Sequence, residues 1–305
     1  MGVSLRRMSE FATSIRSHLL ETFSGDTQGT PYWVANIEKG DDEGYFGPNS
    51  ASWAVHGGMP TMVAGIRALL MQTLHPGAMA GVHDWSRYKE DPLGRLAGTI
   101  QWLITVTFGD RALAEFESSR VAKFHNRVQG TYTDSAGTQQ KYSAGDPELL
   151  EWVHVVFTDA FLGCHEIWGD SIPGGADQYV REWAKAGELV GVATPPRSEA
   201  ELRAALHRFN AAGILKHDER VEETIAFLRR PPLRRSMMPF YRVMFAGAVA
   251  SIPTEYRDIL GLKKSRWPVI WATGAILRIL RTLLGPSSTS EDAARIRLAR
   301  LATAS

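Results

Sequence analysis

The sequence predicts an all-α fold, a single helical domain of about twelve helices with one short β-hairpin. Three observations support this fold class. Apolar residues recur at helical spacing along most of the chain. Pro60, Pro92 and Pro147 stand where such runs begin, as prolines at a first helical position do. Strand signals are confined to GTYTDSAGTQQKYSA at 130–144, around a turn at 135–137.

The individual helices follow from these signals in chain order. Asp146 can cap the helix that begins at Pro147, and Ser198 with Glu201 forms a capping box before another. The segment 23–50 is rich in glycine and aspartate and is predicted to be irregular. Helices are predicted at 6–22, 60–74, 92–108, 110–128, 147–168, 175–190, 199–213, 218–230, 236–250, 254–261, 268–284 and 290–302.

Three stretches of the chain are separated by this pattern. Residues 1–48 are predicted to form an N-terminal helix and the irregular segment, 49–285 the main domain, and 286–305 a peripheral C-terminal tail. The N-terminus MGVSLRRMSEF has neither the apolar core of a signal peptide nor a myristoylation pattern. The apolar run 267–277 is too short to span a bilayer, so at most peripheral membrane contact is expected.

Charge and cysteine content exclude several classes of protein. The 305 residues include 34 basic and 33 acidic side chains, so no global field attracts nucleic acid. The single cysteine, Cys164, excludes an internal disulfide and a cysteine-based zinc or iron–sulfur site. It suits a reducing compartment, and a cytoplasmic protein is expected.

Arg95 and Thr99 in DPLGRLAGT are four residues apart and share one helical face. The surrounding helix is apolar on most sides, which predicts burial. A buried arginine needs an anion. Arg95 therefore either pairs with a carboxylate, reaches solvent near the helix start, or faces a ligand pocket together with Thr99.

Two histidines lie on apolar helical faces. In VAKFHNRVQG, His125 shares a stripe with Val121 and Val128, as a core residue or as a ligand. His154 follows Glu151 as a Glu-x-x-His pair. A di-iron bundle needs two such pairs and two further glutamates, and no second pair occurs in the sequence.

The other sequence motifs carry less information about function. His83-Asp84 and His217-Asp218 are interpreted as chance or as surface caps. The sequence contains no P-loop, dinucleotide-binding turn, nucleophile elbow or His-Glu-x-x-His. Histidine, arginine and threonine with much apolar and aromatic lining remain, and this combination fits a haem pocket.

Four stretches of the chain occur in a recognisable order. They are LLMQTLHPGAMAGVHDWSRY (69–88), DPLGRLAGTIQWLITVTFG (91–109), VAKFHNRVQG (121–130) and YSAGDPELLEWVHVVFTDAFL (142–162). In this order the chain resembles the MpaB-like oxygenases, which share a catalytic domain with bacterial latex-clearing proteins. The resemblance implies an all-α fold with haem b in a pocket between helices, and oxidative cleavage of double bonds in isoprenoid chains.

The resemblance also implies roles for individual residues. His125 resembles the proximal histidine that binds the haem iron, with His154 as the reserve ligand or a partner of a propionate. Arg95 and Thr99 resemble the distal catalytic pair, with Arg95 beside the cofactor. The distal lysine of the rubber-cleaving branch has no counterpart, because residue 98 is glycine.

These expectations combine into a leading hypothesis and two alternatives. The chain is expected to be an oxidoreductase, a haem b-dependent oxygenase that acts with O2 on a small apolar, isoprenoid-like substrate. A haem sensor or peroxidase-like protein without oxygenase turnover is the first alternative. An iron-free helical lipid-binding module that uses 267–284 is the second. The oligomeric state is left open.

Overall fold

Most helices form where apolar periodicity places them. The computed structural model describes residues 31–85, 92–233, 235–265 and 268–304, without the side chains of residues 32, 92–97 and 304. Within these ranges there are fourteen helices and one antiparallel hairpin. The all-α fold class and the hairpin are confirmed. The helix predicted at 6–22 lies outside the described residues.

The elements run in order along the chain. Before the hairpin they are α1 (Tyr32–Lys39), α2 (Ala51–Gly57), α3 (Thr61–Gln72), α4 (Pro76–Trp85), α5 (Pro92–Phe108) and α6 (Arg111–His125). The hairpin consists of β1 (Gln129–Thr133) and β2 (Gln139–Ser143). After it come α7 (Pro147–Trp168), α8 (Gly175–Leu189), α9 (Glu199–Ala211), α10 (Glu219–Arg229), α11 (Met238–Ser251), α12 (Thr254–Ile259), α13 (Val269–Leu284) and α14 (Thr289–Ala304).

Three short helices were not predicted, namely α1, α2 and α4. The segment 23–50 was expected to be irregular, but it contains α1, whose buried Trp33, Val34 and Ile37 provide an apolar side despite the surrounding glycines. Helix α2 begins where the Ser50 hydroxyl accepts a hydrogen bond from the Trp53 amide at 3.1 Å. Seven or eight residues are too few for periodicity to stand out.

Helix α4 begins directly after His75, three residues beyond the end of α3. The chain leaves α3 at residue 72, and His75 then caps α4. Its Nδ1 accepts a hydrogen bond from the Gly77 amide at 3.2 Å, so Nε2 carries the proton and donates to the Glu148 carboxylate at 3.1 Å. The imidazole takes the place of an ordinary N-cap side chain.

The chain divides into two compact units. The first comprises the described parts of Met1–Gly47, Arg87–Glu117 and Arg278–Ser305, and the second those of Pro48–Ser86 and Ser118–Leu277. The division falls within helices α6 and α13. The domain boundaries predicted at residues 48 and 285 remain a prediction.

The second unit is built around the packing of α3 against α7. Between them the Arg67 guanidinium donates to the Asp159 carboxylate, and both side chains are buried. Gly163 makes room for this ion pair, because a Cβ there would lie 2.5 Å from Nη1 of Arg67. A buried pair of this kind fixes the register of two helices, since breaking it leaves an uncompensated charge.

The hairpin connects the two helices that carry the candidate histidines. Its register pairs Gln129 with Ser143, and the Asp134 carboxylate closes the turn by accepting from the Ala136 and Thr138 amides at 3.0 and 2.8 Å. The Gln140 side chain also donates a hydrogen bond to Asp134. This bond, followed by those from the Thr138 and Ala136 amides, lowers the pKa of Asp134. The turn lies where Ser135-Ala136-Gly137 predicted it.

Candidate functional site

Helix α5 carries the first pair of candidate residues. Arg95 and Thr99 lie one turn apart in it, both in the first unit. Thr99 is half-buried, whereas the Arg95 side chain lies outside the described part of the chain. The helix contains no acidic residue, and its apolar Ile100 and Trp102 are also half-buried. This part of α5 therefore presents apolar side chains that are not fully packed.

Gly98 stands beside this pair, at the position where the rubber-cleaving branch was expected to carry a lysine. Among the described residues, no atom lies within 4 Å of a Cβ added there, although Gly98 itself is half-buried in a helix. The first carbon of a side chain at this position would therefore meet none of the described atoms.

Glu117 is a buried carboxylate of the first unit that was not predicted from the sequence. It lies on α6, is 6 % exposed, and accepts a hydrogen bond from the Gln101 side chain of α5 at 3.2 Å. Its spacing from Ala114 and Val121 places it on the buried side of the helix. An acidic residue at this helical spacing from apolar residues was the sequence signal that could have indicated a buried carboxylate.

His125 is the last residue of α6 and belongs to the second unit. Its side chain is half-buried, and the Phe124 ring lies 6.4 Å from the imidazole, centroid to centroid. Phe124 is 54 % exposed. Helix-end carbonyls carry partial negative charge, which favours a cation or metal near this imidazole.

The stripe predicted around His125 is wrong in one respect. Helix α6 ends at His125, three residues earlier than expected, and the Val128 amide bonds to the His125 carbonyl in the following turn. Val128 is buried next to the hairpin and not on the helix. His125 is therefore a helix-end residue with partial access, not a core residue in mid-helix.

His154 has a different environment. It is buried in α7, and its ring lies against the backbone of α8, because a Cβ on Gly187 would approach Cε1 to 2.9 Å. Burial lowers the pKa of His154 to about 4, so the ring is uncharged at neutral pH. Its Nε2 has no hydrogen-bond partner among the described residues. The ring is closed in on the α8 side.

The Glu-x-x-His pair does not act as a unit. The Glu151 carboxylate accepts a hydrogen bond from the Arg208 guanidinium, and no hydrogen bond joins it to His154 among the described residues. Among the described residues, no group of three or more histidine, cysteine, aspartate or glutamate side chains could hold a metal ion. The His-Asp dipeptides are surface groups: Asp218 caps α10, and His83 bonds to its neighbour Asp84.

A buried cluster of aromatic rings around His56 was not predicted from the sequence. His56 of α2 shares a hydrogen bond of 3.2 Å with the Tyr179 hydroxyl and lies 4.0 Å from the Trp183 ring. Burial, and then the charge of His165, lower the pKa of His56 to about 3. A histidine within the apolar run ASWAVHG was the signal for it. These rings hold α2 against α8.

The side chains can be tested against the needs of a haem. A haem iron takes a neutral imidazole, and the macrocycle needs apolar side chains beside it. His125 offers an imidazole with access, next to an exposed apolar ring. His154 is neutral, but one of its sides is closed by Gly187. The residues present fit a haem ligated by His125, whereas the four candidate site residues remain predictions.

Comparison with known proteins identifies a family. A family model described as "ER-bound oxygenase mpaB/B'/Rubber oxygenase, catalytic domain" matches residues 53–302, which include all four candidate residues. No curated protein and no solved structure gives a significant match. The resemblance inferred from the four sequence stretches is confirmed.

Proposed function

Because the chain belongs to the mpaB/rubber oxygenase catalytic-domain family, we propose that it is a haem b-dependent oxygenase that cleaves the double bond of a small apolar, isoprenoid-like substrate. The oxidoreductase class follows from the family. Haem dependence and the substrate class are our inference.

The observation that carries the proposal is the half-buried His125 imidazole beside the exposed Phe124 ring. His125 would bind the haem iron, and the macrocycle would cover apolar surface that otherwise faces water. When bound, haem b supplies an iron centre at which dioxygen is activated. His154 is uncharged at neutral pH, so it would act by packing or by a hydrogen bond, not as an acid.

The residues of α5 would serve the reacting oxygen and the substrate. Arg95 carries a permanent positive charge, and Thr99 a hydroxyl donor, so both can stabilise negative charge that develops on oxygen. Ile100 and Trp102 are half-buried apolar side chains suited to a hydrocarbon. Gly98 takes the position where the rubber-cleaving branch was expected to carry a lysine.

The proposed reaction balances without a further reductant. Both bonds between the alkene carbons break, as does the O–O bond of one dioxygen molecule. Two C=O groups form, each with one oxygen atom from that molecule. The protein therefore needs haem, dioxygen and the alkene.

The experiment combines spectroscopy with product analysis. Purified protein should show a strong haem Soret band, which His125→Ala should largely abolish and the matched variant His154→Ala should only reduce. Incubation with labelled dioxygen and a panel of terpenoid and other unsaturated substrates should give carbonyl fragments that each carry one labelled oxygen, as read by mass spectrometry.

Each of the other outcomes would support a different iron ligand or a different function. Haem retention in His125→Ala with loss in His154→Ala would show that the ligand is on α7. A haem-loaded protein that leaves every alkene intact would support a sensor or a peroxidase-like protein. A purified protein that does not bind haem would support an iron-free lipid-binding module.

A further inference from the structure

One side of helix α13 is exposed although the helix is apolar. Its buried side consists of Val269, Thr273, Leu277 and Leu280, at helical spacing. The opposite side, which we call the exposed face of α13, consists of Trp271, Ala275, Arg278, Ile279 and Thr282.

Two residues of this face expose large apolar side chains. Trp271 is 77 % exposed and Ile279 is 53 % exposed, eight residues or about two turns apart. Single exposed apolar residues are ordinary. A tryptophan and an isoleucine on one face of one helix, next to Arg278, form an amphipathic surface with a definite chemistry.

The sequence between Asp258 and Glu291, which contains α13, carries charge of one sign. Residues 259–290 contain five basic side chains and no acidic one, in a chain whose totals are 34 and 33. Lys263 and Lys264 precede the helix and are exposed, as are Arg278 and Arg281 within it. The partner that complements both the positive charge and the apolar side chains is an anionic lipid surface.

Helix α13 has 16 residues. No single helix of the described residues is long and apolar enough to cross a bilayer. Helix α13 is long and apolar enough only when it is taken together with α14, from which it is separated by a bend of 50°. Tryptophan prefers the boundary between headgroups and acyl chains, and arginine prefers anionic headgroups.

We propose that the exposed face of α13 docks on the surface of an anionic lipid bilayer, with Trp271 and Ile279 in the interface and Arg278 and Arg281 among the headgroups. Binding by one such helix is reversible and falls with salt, because basic residues bind anionic headgroups through a screened attraction. The inference does not depend on haem or on oxygenase activity.

The experiment measures vesicle binding by the full chain. Wild-type protein should sediment with vesicles of phosphatidylcholine plus phosphatidylglycerol, and much less with phosphatidylcholine alone. Arg278→Glu with Arg281→Glu should lower the partition coefficient at least about tenfold, since each basic residue contributes about fivefold at such a surface. Trp271→Ser should lower it as well, and brominated lipids should quench wild-type fluorescence more than that of Trp271→Phe.

Matched variants keep the result specific. Arg181→Glu with Arg197→Glu changes the net charge equally at other exposed arginines, and Phe116→Ser removes an aromatic side chain that is 64 % exposed beside Glu115. Both should bind like the wild type. All substituted residues are exposed, and circular dichroism verifies folding.

Three results would overturn the proposal. The first is no vesicle binding by wild-type protein at low ionic strength. The second is equal binding by the α13 variants and the controls. The third is a dimer in sedimentation analysis that Trp271→Ser dissociates, which would show that a second copy of the chain covers this face.

Discussion

Burial keeps histidines of the second unit uncharged. His56 is enclosed by the rings of Phe161, Tyr179 and Trp183, and desolvation followed by the charge of His165 lowers its pKa from 6.5 to about 3. The unfolded chain therefore binds a proton that the folded chain rejects. A neutral ring in this position links stability to pH.

The sign of this linkage gives the first prediction. The contribution of His56 is fully present above pH 6.5 and is lost as the pH falls towards about 3. We expect the free energy of unfolding to fall by about 1.4 kcal/mol per pH unit for this group below pH 6.5. Urea denaturation between neutral and mildly acidic pH measures it.

A variant identifies the residue responsible. His56→Phe should lower the measured slope by about 1.4 kcal/mol per pH unit, because the substituted ring does not titrate, whereas the contribution of His154 remains. The exposed His207 provides the control as His207→Gln, which should keep the wild-type slope. An unchanged slope in His56→Phe would show that other groups govern the acid side of the stability curve.

At the scale of elements, two helical glycines have opposite surroundings. Among the described residues, no atom lies within 4 Å of a Cβ added at Gly98 in α5, whereas Gly163 in α7 lies against the buried Arg67 guanidinium. The same substitution therefore tests two different packings. In a helix alanine is favoured over glycine by about 1 kcal/mol when nothing obstructs the methyl group.

We expect Gly98→Ala to raise the free energy of unfolding by up to about 1 kcal/mol. Gly163→Ala should lower it, because the new Cβ would lie 2.5 Å from Nη1 of Arg67 and would displace the ion pair with Asp159. Chemical denaturation of both variants measures the difference. Equal effects of the two substitutions would contradict the packing described here.

At the scale of the whole molecule, residues far apart in sequence build each unit. In the first unit the Arg297 guanidinium of α14 is buried and donates to the Ile37 carbonyl of α1 at 2.7 Å, across 260 residues of sequence. Arg300 donates to the Gly40 carbonyl at 2.5 Å. The helix predicted at 290–302 is present as α14, and it packs on α1 near the start of the described chain.

Two arginines of α14 make this testable. Arg297→Ala should cost about 1–3 kcal/mol, because it removes a buried donor and leaves the Ile37 carbonyl without it. Arg295→Ala, two residues away, removes an exposed side chain that pairs with Glu291 at i,i+4 and should cost less than about 0.5 kcal/mol. Equal losses in urea denaturation would show that the contact with Ile37 contributes nothing.

Local signals predicted the long helices, the hairpin and the family. Apolar spacing, prolines and caps placed the long helices such as α7, and the Gly137 turn placed the hairpin, because these signals act within a few residues. The four stretches between 69 and 162 carried the family resemblance. Short elements such as α1 escaped, because a helix of eight residues shows its apolar side too briefly.

The environments of the histidines were decided by the tertiary structure. His125 and His154 have similar apolar spacing in the sequence, yet α6 ends at His125 and leaves it half-buried, whereas the α8 backbone at Gly187 closes one side of His154. The His56 cluster and the Arg297 contact likewise join elements far apart in the chain. Spacing along one helix fixes which residues share a face, but burial depends on which other helix covers that face.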